Sequence, residues 1–78
     1  MEKVYVVMEY NMLEGRYPLG VYPTQEMAMA SVENAAAENE TRITETTILP
    51  WSVVEGTITC YTEDNKPFWK IIPTYFVH

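Results

Sequence analysis

The stretch GVYPTQE, residues 20–26, joins the end of an extended segment to the start of a helix. Pro23 fixes its own φ angle and biases Tyr22 towards extended geometry. Thr24 is then in position to act as the N-cap, because its hydroxyl can accept a hydrogen bond from an N–H of the first helical turn. Glu26 lies in that turn, where the helix dipole favours a negative charge. The stretch therefore predicts that a strand ends and a helix begins here.

The segment after this turn has the composition of a single helix. Residues 25–38 are rich in strong helix formers and contain neither Pro nor Gly. One stripe at helical spacing is apolar and built mostly of small residues: Ala28, Met29, Val32, Ala35 and Ala36. Small residues permit close packing, so the stripe predicts that the helix lies against a sheet. A helix interface for another chain is the alternative.

The chain before the turn has the pattern of a β-hairpin. Residues 3–13 alternate, and one face is apolar: Val4, Val6, Met8, Tyr10 and Met12. Residues 14–16, EGR, have the composition of a hairpin loop. Residues 17–22 return as a second strand, in which Pro18 cannot donate a hydrogen bond to a neighbour. This proline predicts an edge strand or an irregular one.

Two or three further extended segments follow the helix. Residues 42–49 and 57–62 are rich in Thr and Ile, which favour strands, and residues 67–77 return after a polar turn at 63–66. Pro73 in the last strand predicts an edge or a bulge. The order of hairpin, helix and strands favours one α+β domain over residues 1–78. We expect an antiparallel sheet of about five strands, in ββαβββ-like order, with one helix packed on one face.

Length and charge restrict the class of protein. A domain of 78 residues has a marginal core and often needs an oligomeric partner. The formal net charge is −6, and no Lys or Arg occurs between Arg16 and Arg42, so direct binding of nucleic acid is not expected. We see no signal peptide and no apolar stretch long enough for a membrane, and the lone thiol of Cys60 suits a reducing compartment. These features predict a cytoplasmic protein without membrane association.

The residue types that catalysis needs are scarce. His78 is the only histidine and the last residue, and with Cys60 as the only cysteine the usual ligands of a transition metal are missing. Ser31 and Ser52 have no base partner, and three isolated glycines form no phosphate-binding loop. Cys60 alternates with Ile58, which indicates a core position rather than a nucleophile. We therefore predict no enzyme activity, no catalytic residue, no metal site and no cofactor.

Two groups of residues indicate protein binding. Glu26, Glu33 and Glu40 recur every seven residues and are predicted to line one helix flank, which is either simply solvated or an acidic ridge for a basic surface. The chain also has six Tyr, two Trp and two Phe, more rings than a small core needs, and such rings are favoured at interfaces. The predicted protein-binding residues are Glu26, Glu33, Glu40, Tyr5, Tyr22, Trp51 and Trp69.

The N-terminal half resembles small uncharacterised proteins of phages and prophages. In these proteins a hydrophobic strand precedes a Gly-Val-Tyr-x-Thr/Ser-x-Glu turn into a helix. The matching stretches here are VYVV at residues 4–7 and GVYPTQE at residues 20–26, so the resemblance covers about a third of the chain and leaves residues 42–78 outside it. The resemblance implies a short accessory protein of a mobile element, a class whose members often bind one host protein. It assigns no catalytic residues.

These observations predict a non-enzymatic, acidic protein-binding module that binds and inhibits a host defence or nucleic-acid-handling protein. Its location would be the host cytoplasm if a phage encodes it. One alternative is a structural homo-oligomer or assembly subunit, and a homodimer is expected because aromatic residues are in surplus for so small a core. A second alternative is a small-ligand binder, for example for a nucleotide signal, although the chain lacks the Arg/Lys cluster that phosphate favours.

Overall fold

The computed structural model describes residues 2–11, 13, 15–63 and 67–76. Within them the elements are β1 (Glu2–Asn11), β2 (Gly15–Tyr22), α1 (Gln25–Glu38), β3 (Ile43–Ile48), β4 (Ile58–Thr62) and β5 (Phe68–Phe76). The strands form one antiparallel sheet in the order β2-β1-β5-β4-β3, and α1 packs on one face of it. The predicted α+β fold with five strands and one helix is confirmed. The loop predicted at 14–16, the turn at 63–66 and His78 lie wholly or partly outside the described residues.

The start of α1 follows the prediction made from residues 20–26. Thr24 has extended angles, φ −131° and ψ 155°, and its Oγ1 accepts a hydrogen bond from the Met27 N–H at 3.2 Å. This contact satisfies one of the N–H groups that a helix leaves unpaired at its first turn.

The helix ends at Glu38, as the composition of residues 25–38 predicts, so Glu40 lies beyond it. Glu40 adopts a left-handed conformation with φ 58°. Its N–H donates to the Ala37 carbonyl at 3.0 Å, and the Thr41 N–H donates to the Ala36 carbonyl at 3.0 Å. This is the Schellman pattern, in which a left-handed residue reverses the chain and satisfies the last carbonyls. The prediction that Glu40 continues the helical row of Glu26 and Glu33 is therefore wrong.

Both prolines predicted at irregular or edge positions lie where a backbone N–H is not needed. Pro18 is in the edge strand β2, opposite Met8 and next to a shift in the β1–β2 register. Pro73 is in the interior strand β5, opposite Tyr5. The β4–β5 pairing extends only to Ile58, opposite Ile71, so β5 at Pro73 is bordered by β1 alone among the described strands. A missing N–H is tolerated at such a local edge.

The core lies between α1 and one face of the sheet. Its fully buried helix residues are Ala28, Val32 and Ala36, which confirms the small apolar stripe. Across from them lie Val7, Ile58, Cys60, Trp69 and Ile71. Because side chains alternate along a strand, the more regular apolar set of β1, from Val4 to Tyr10, lies on the face away from the helix. The helix thus covers the more mixed face of β1.

Candidate protein-binding surfaces

Trp69 was predicted to bind protein, and the structure contradicts that prediction. The side chain has 0 % of its surface exposed and lies in the core. Its indole Nε1 donates a hydrogen bond to Oε1 of Glu9 at 2.9 Å. A buried ring whose single donor is already satisfied has no surface to offer a partner.

Glu9 is a buried carboxylate that the sequence analysis missed. Its side chain is 3 % exposed, and Oε2 accepts a hydrogen bond from the Tyr17 hydroxyl while Oε1 accepts from Trp69. A buried carboxylate is costly unless its oxygens are hydrogen-bonded, and here both oxygens have a donor. The available signal was the alternation of β1, which places Glu9 on the same face as Val7. The contact joins β2, β1 and β5 at one end of the sheet and serves the fold.

Tyr5 and Tyr22, two other predicted binding residues, are half-buried and pack against the core. The Tyr22 hydroxyl donates to Oγ of Ser31 at 2.7 Å and so ties β2 to α1. Tyr22 also lines a groove of about 420 Å³ between β2 and the helix, together with Leu19 and Glu38. Tyr22 therefore has a structural role of its own and leaves only part of its ring accessible.

Trp51 is exposed, as a binding residue needs to be. Trp51 is 76 % exposed, and on the same connection between β3 and β4 Val53 is fully exposed and Val54 is 40 % exposed. Ile48 at the end of β3 is 65 % exposed and Tyr75 near the end of β5 is 60 % exposed. Solvent-facing apolar side chains concentrated at one end of a small domain are the usual mark of an interaction site.

A cleft opens among these residues, and we call it the end cleft. Its volume is about 600 Å³, and it is lined by Lys3, Tyr5, Gln25, Ile48, Val54, Glu55, Gly56, Ile58, Pro73, Thr74 and Tyr75. The Lys3 ammonium lies 5.5 Å from the ring centroid of Tyr5 and 6.0 Å from that of Tyr75. The cleft thus combines an apolar floor with one cation held over two aromatic rings.

The connection that carries Trp51 is held in place by its own hydrogen bonds. The Ser52 N–H donates to the Leu49 carbonyl at 3.2 Å, and both the N–H and the hydroxyl of Thr57 donate to the Val54 carbonyl. Gly56 has φ 84°, a left-handed conformation that favours glycine at this turn. Two successive turns therefore present the exposed side chains of Trp51 and its neighbours without a strand or helix beneath them.

The sheet face away from the helix is the second apolar surface. Val6, Met8 and Ile72 are half-buried there, and Tyr10 stacks on Phe68 with ring centroids 4.7 Å apart. Tyr61 follows at 6.0 Å from Phe68, and the Lys70 ammonium lies 5.2 Å from the Tyr10 centroid. We call this surface the open face.

The predicted acidic flank of the helix borders a groove along the edge strand β3. We call it the β3 groove; its volume is about 390 Å³, and it is lined by Met29, Glu33, Ala37, Thr41, Arg42, Ile43 and Thr46. Glu26 and Glu33 are exposed on the helix, two helical turns apart, and line a neighbouring depression of about 350 Å³. The structure therefore keeps two of the three predicted glutamates together on the helix, and Glu33 lies beside β3.

Cys60 is not a nucleophile in this setting. Burial, followed by the negative charge of Glu33, raises the pKa of the thiol from 9.0 to about 11. The reactive thiolate is therefore scarce at neutral pH. Among the described residues, no group of three or more His, Cys, Asp or Glu side chains is placed to hold a metal ion.

No helix in the described part of the chain is long and apolar enough to cross a membrane. No protein-family model, curated protein or solved structure matches the chain. Function is therefore inferred from the surfaces themselves.

Proposed function

We propose that this chain is a non-enzymatic protein-binding module and that it binds its partner with the end cleft and the adjoining connection that bears Trp51. The proposal is supported by the exposed apolar side chains that concentrate at the end of the domain where the cleft opens. They are Ile48, Trp51, Val53, Val54 and Tyr75, all at least 40 % exposed. Tryptophan and tyrosine contribute a large share of the binding energy at protein interfaces. Both occur here outside the core.

The charge of the chain favours a partner of different composition over a second copy at this site. With a net charge of −6, two copies repel one another, whereas a basic protein is attracted. The end cleft itself holds both Lys3 and Glu55, so the attraction arises from the whole molecule rather than from the cleft alone. We therefore propose a basic protein partner with an apolar segment that fills the cleft.

Residues 4–7 and 20–26 resemble stretches of phage accessory proteins, and this resemblance is the basis for the class of partner that we propose. On that basis the partner is a host defence or nucleic-acid-handling protein in the host cytoplasm. Proteins that handle nucleic acid carry basic surfaces, which fit an acidic binder. Binding would then inhibit the host protein by covering such a surface.

The experiment compares the capture of proteins from an extract of host cells by immobilised wild type, Trp51→Ser and Leu13→Ser. Leu13 is 95 % exposed and lies beyond the other end of β1, so Leu13→Ser is a matched loss of exposed apolar surface. We expect a partner that the wild type and Leu13→Ser capture equally. With purified partner, Trp51→Ser should weaken the Kd by about tenfold to a hundredfold. Equal affinity of all three proteins would overturn the proposal.

The open face supports a second candidate function, a structural homodimer formed by two stacked sheets. Strands about 4.8 Å apart and about 20–30 Å long give this face roughly 500–700 Å² per copy, at the lower end of what a stable dimer needs. The half-buried row of Val6, Met8 and Ile72 provides the apolar centre of such an interface. A monomeric mass from micromolar to millimolar concentration in light scattering would exclude this candidate. A dimer that Met8→Lys dissociates would establish it.

A further inference from the structure

The two edges of the sheet differ in their protection against strand addition. β2 carries Pro18, a glycine at position 20 and the shifted register beside Met8, all of which disfavour pairing with another strand. β3 at the opposite edge reads ITETTI and contains neither proline nor lysine. Among the described strands it borders β4 alone, so one row of its backbone groups is unpaired by any strand. An edge of this kind is a ready template for an extended segment.

The surroundings of β3 provide room and chemical character for a sixth strand. A strand added about 4.8 Å from β3 extends the sheet beneath the flank of α1, and every second side chain then faces the β3 groove. Met29 and Ile43 make the floor of this groove apolar, and Glu33 overhangs it from the helix. The same edge ends at Ile48, which also lines the end cleft. The groove and the cleft therefore form one continuous surface.

The charges around β3 identify the occupant. Glu26 and Glu33 lie exposed on the helix flank above the sheet. Glu45 on β3 is also exposed but lies on the opposite face, because its neighbour Thr46 pairs with the core residue Cys60. Arg42 is the one basic residue among the described residues that line the groove, at the end where β3 begins. The field of Glu33 extends to the sheet, since it contributes to the raised pKa of Cys60. A second copy paired along β3 would bring two acidic edges together, whereas basic side chains that face the helix flank would neutralise Glu33 and Glu26.

We propose that β3 binds an extended basic segment of the partner protein as a sixth strand, with alternate Lys or Arg side chains facing Glu33 and Glu26. This inference rests on the proposed function, because the segment belongs to the same partner. The backbone hydrogen bonds of β3 supply affinity, and the acidic flank selects the sequence.

The test selects peptides from a yeast-displayed random library of peptides about twelve residues long, enough to pair along the whole of β3 and to reach the end cleft. We expect enrichment of peptides that alternate apolar residues with Lys or Arg. Addition of an enriched peptide should slow amide hydrogen exchange in β3 and leave β2 unchanged. Replacing the central residue of the peptide by proline should abolish binding, because proline has no N–H to donate.

A matched pair of charge reversals tests whether the negative charge beside β3 contributes to binding of the peptide. Glu33→Lys should weaken binding of the enriched peptide by about tenfold or more, and Glu38→Lys should leave it unchanged. Glu38 is exposed on the same helix but lines the groove beside β2. Circular dichroism checks that both variants fold.

Several results would overturn the sixth strand: no enriched peptide, enriched peptides without basic residues, protection of a surface other than β3, or equal effects of the two variants. Slow exchange of β3 amides in the chain alone, growing with concentration, would assign the edge to a second copy. Failure of the proposed function is distinguishable, because that failure appears as unchanged partner binding by Trp51→Ser. If Trp51→Ser loses the partner while no peptide protects β3, the binding module stands and the sixth strand falls.

Discussion

The two tryptophans lie in two regions that use the same side chain in opposite ways. Trp69 is 0 % exposed, packs under the helix and donates its indole N–H to Glu9. Trp51 is 76 % exposed on the connection between β3 and β4. A large ring stabilises a fold when it is buried and its donor is hydrogen-bonded. A ring that is exposed in the free protein can stabilise a complex, because a partner buries it on binding. The comparison separates a region that maintains the fold from a region available for binding.

The largest effect is expected from breaking the buried region at the helix. Val32 is 0 % exposed at the centre of the small apolar stripe, so Val32→Asp buries an unpaired charge. We expect loss of more than about 4 kcal/mol, enough to unfold a domain of marginal stability. Asn34→Asp, on the exposed side of the same helix, is the control and should leave the melting temperature nearly unchanged. An unchanged melting temperature for Val32→Asp would show that the stripe does not face the core.

The comparison itself is tested by truncating each tryptophan. Trp69→Ala should cost about 3–5 kcal/mol in urea unfolding, because it leaves a cavity and removes the donor to Glu9. Trp51→Ala should change stability by less than about 0.5 kcal/mol, because its ring contributes little to the core. A similar loss of stability in both variants would mean that Trp51 also supports the fold.

The thiol of Cys60 reports whether water is excluded from the buried region. Cys60 lies directly opposite Trp69 in the pairing of β4 with β5. The folded state holds the thiol proton more tightly than the unfolded chain, because the pKa is raised from 9.0 to about 11. The stabilisation is therefore fully present below pH 9.0 and is lost as the pH rises towards about 11.

This loss amounts to about 2–3 kcal/mol by linkage. It should be absent from the pH dependence of urea unfolding in Cys60→Ala, a variant that removes the thiol and leaves every other ionisable group in place. Rapid alkylation of Cys60 by iodoacetamide at pH 8 in the wild type would contradict a buried, protonated thiol.

The smallest effect is expected where the helix that covers the buried region ends. Glu40 has φ 58°, a conformation that glycine adopts without strain. Glu40→Gly should therefore raise stability by about 0.5–1 kcal/mol, measured by thermal unfolding. Glu38→Gly, in the helix proper, should lower stability by a similar amount. If Glu40→Gly destabilises the domain, the left-handed helix end is wrong.

The sequence predicts the helix well, but it does not predict which aromatic side chains are buried and which are exposed. Pro23 and Thr24 are local signals for a helix start, and the structure follows them. The helix end at Glu38 agrees with the composition of residues 25–38. The left-handed conformation of Glu40, which is rare for this residue type, could not be predicted from the spacing of the glutamates. The sequence could not distinguish the two tryptophans, because burial depends on strand pairing between residues far apart. Trp69 is opposite Glu9 in β1, sixty positions away, whereas Trp51 belongs to no strand.

The local sequence pattern also could not predict which face of the sheet the helix covers. Val4, Val6, Met8 and Tyr10 alternate more regularly than the residues around Val7, yet the helix covers Val7. The covered face contains Glu9, which is tolerated there because Trp69 and Tyr17 donate to its two oxygens. Both donors come from other strands, so the alternation of β1 alone could not reveal them.

We expect the protein to bind its partner through the region of Trp51 and to leave the region of Trp69 unchanged. The most direct measurement is ¹⁹F NMR of protein labelled with 5-fluorotryptophan, which gives one resonance for each tryptophan; Trp51→Phe assigns them. On titration with the captured partner, the resonance of Trp51 should shift or broaden while that of Trp69 stays in place. A complex that forms without a change at Trp51, or with the change at Trp69 instead, would show that the partner binds elsewhere on the protein.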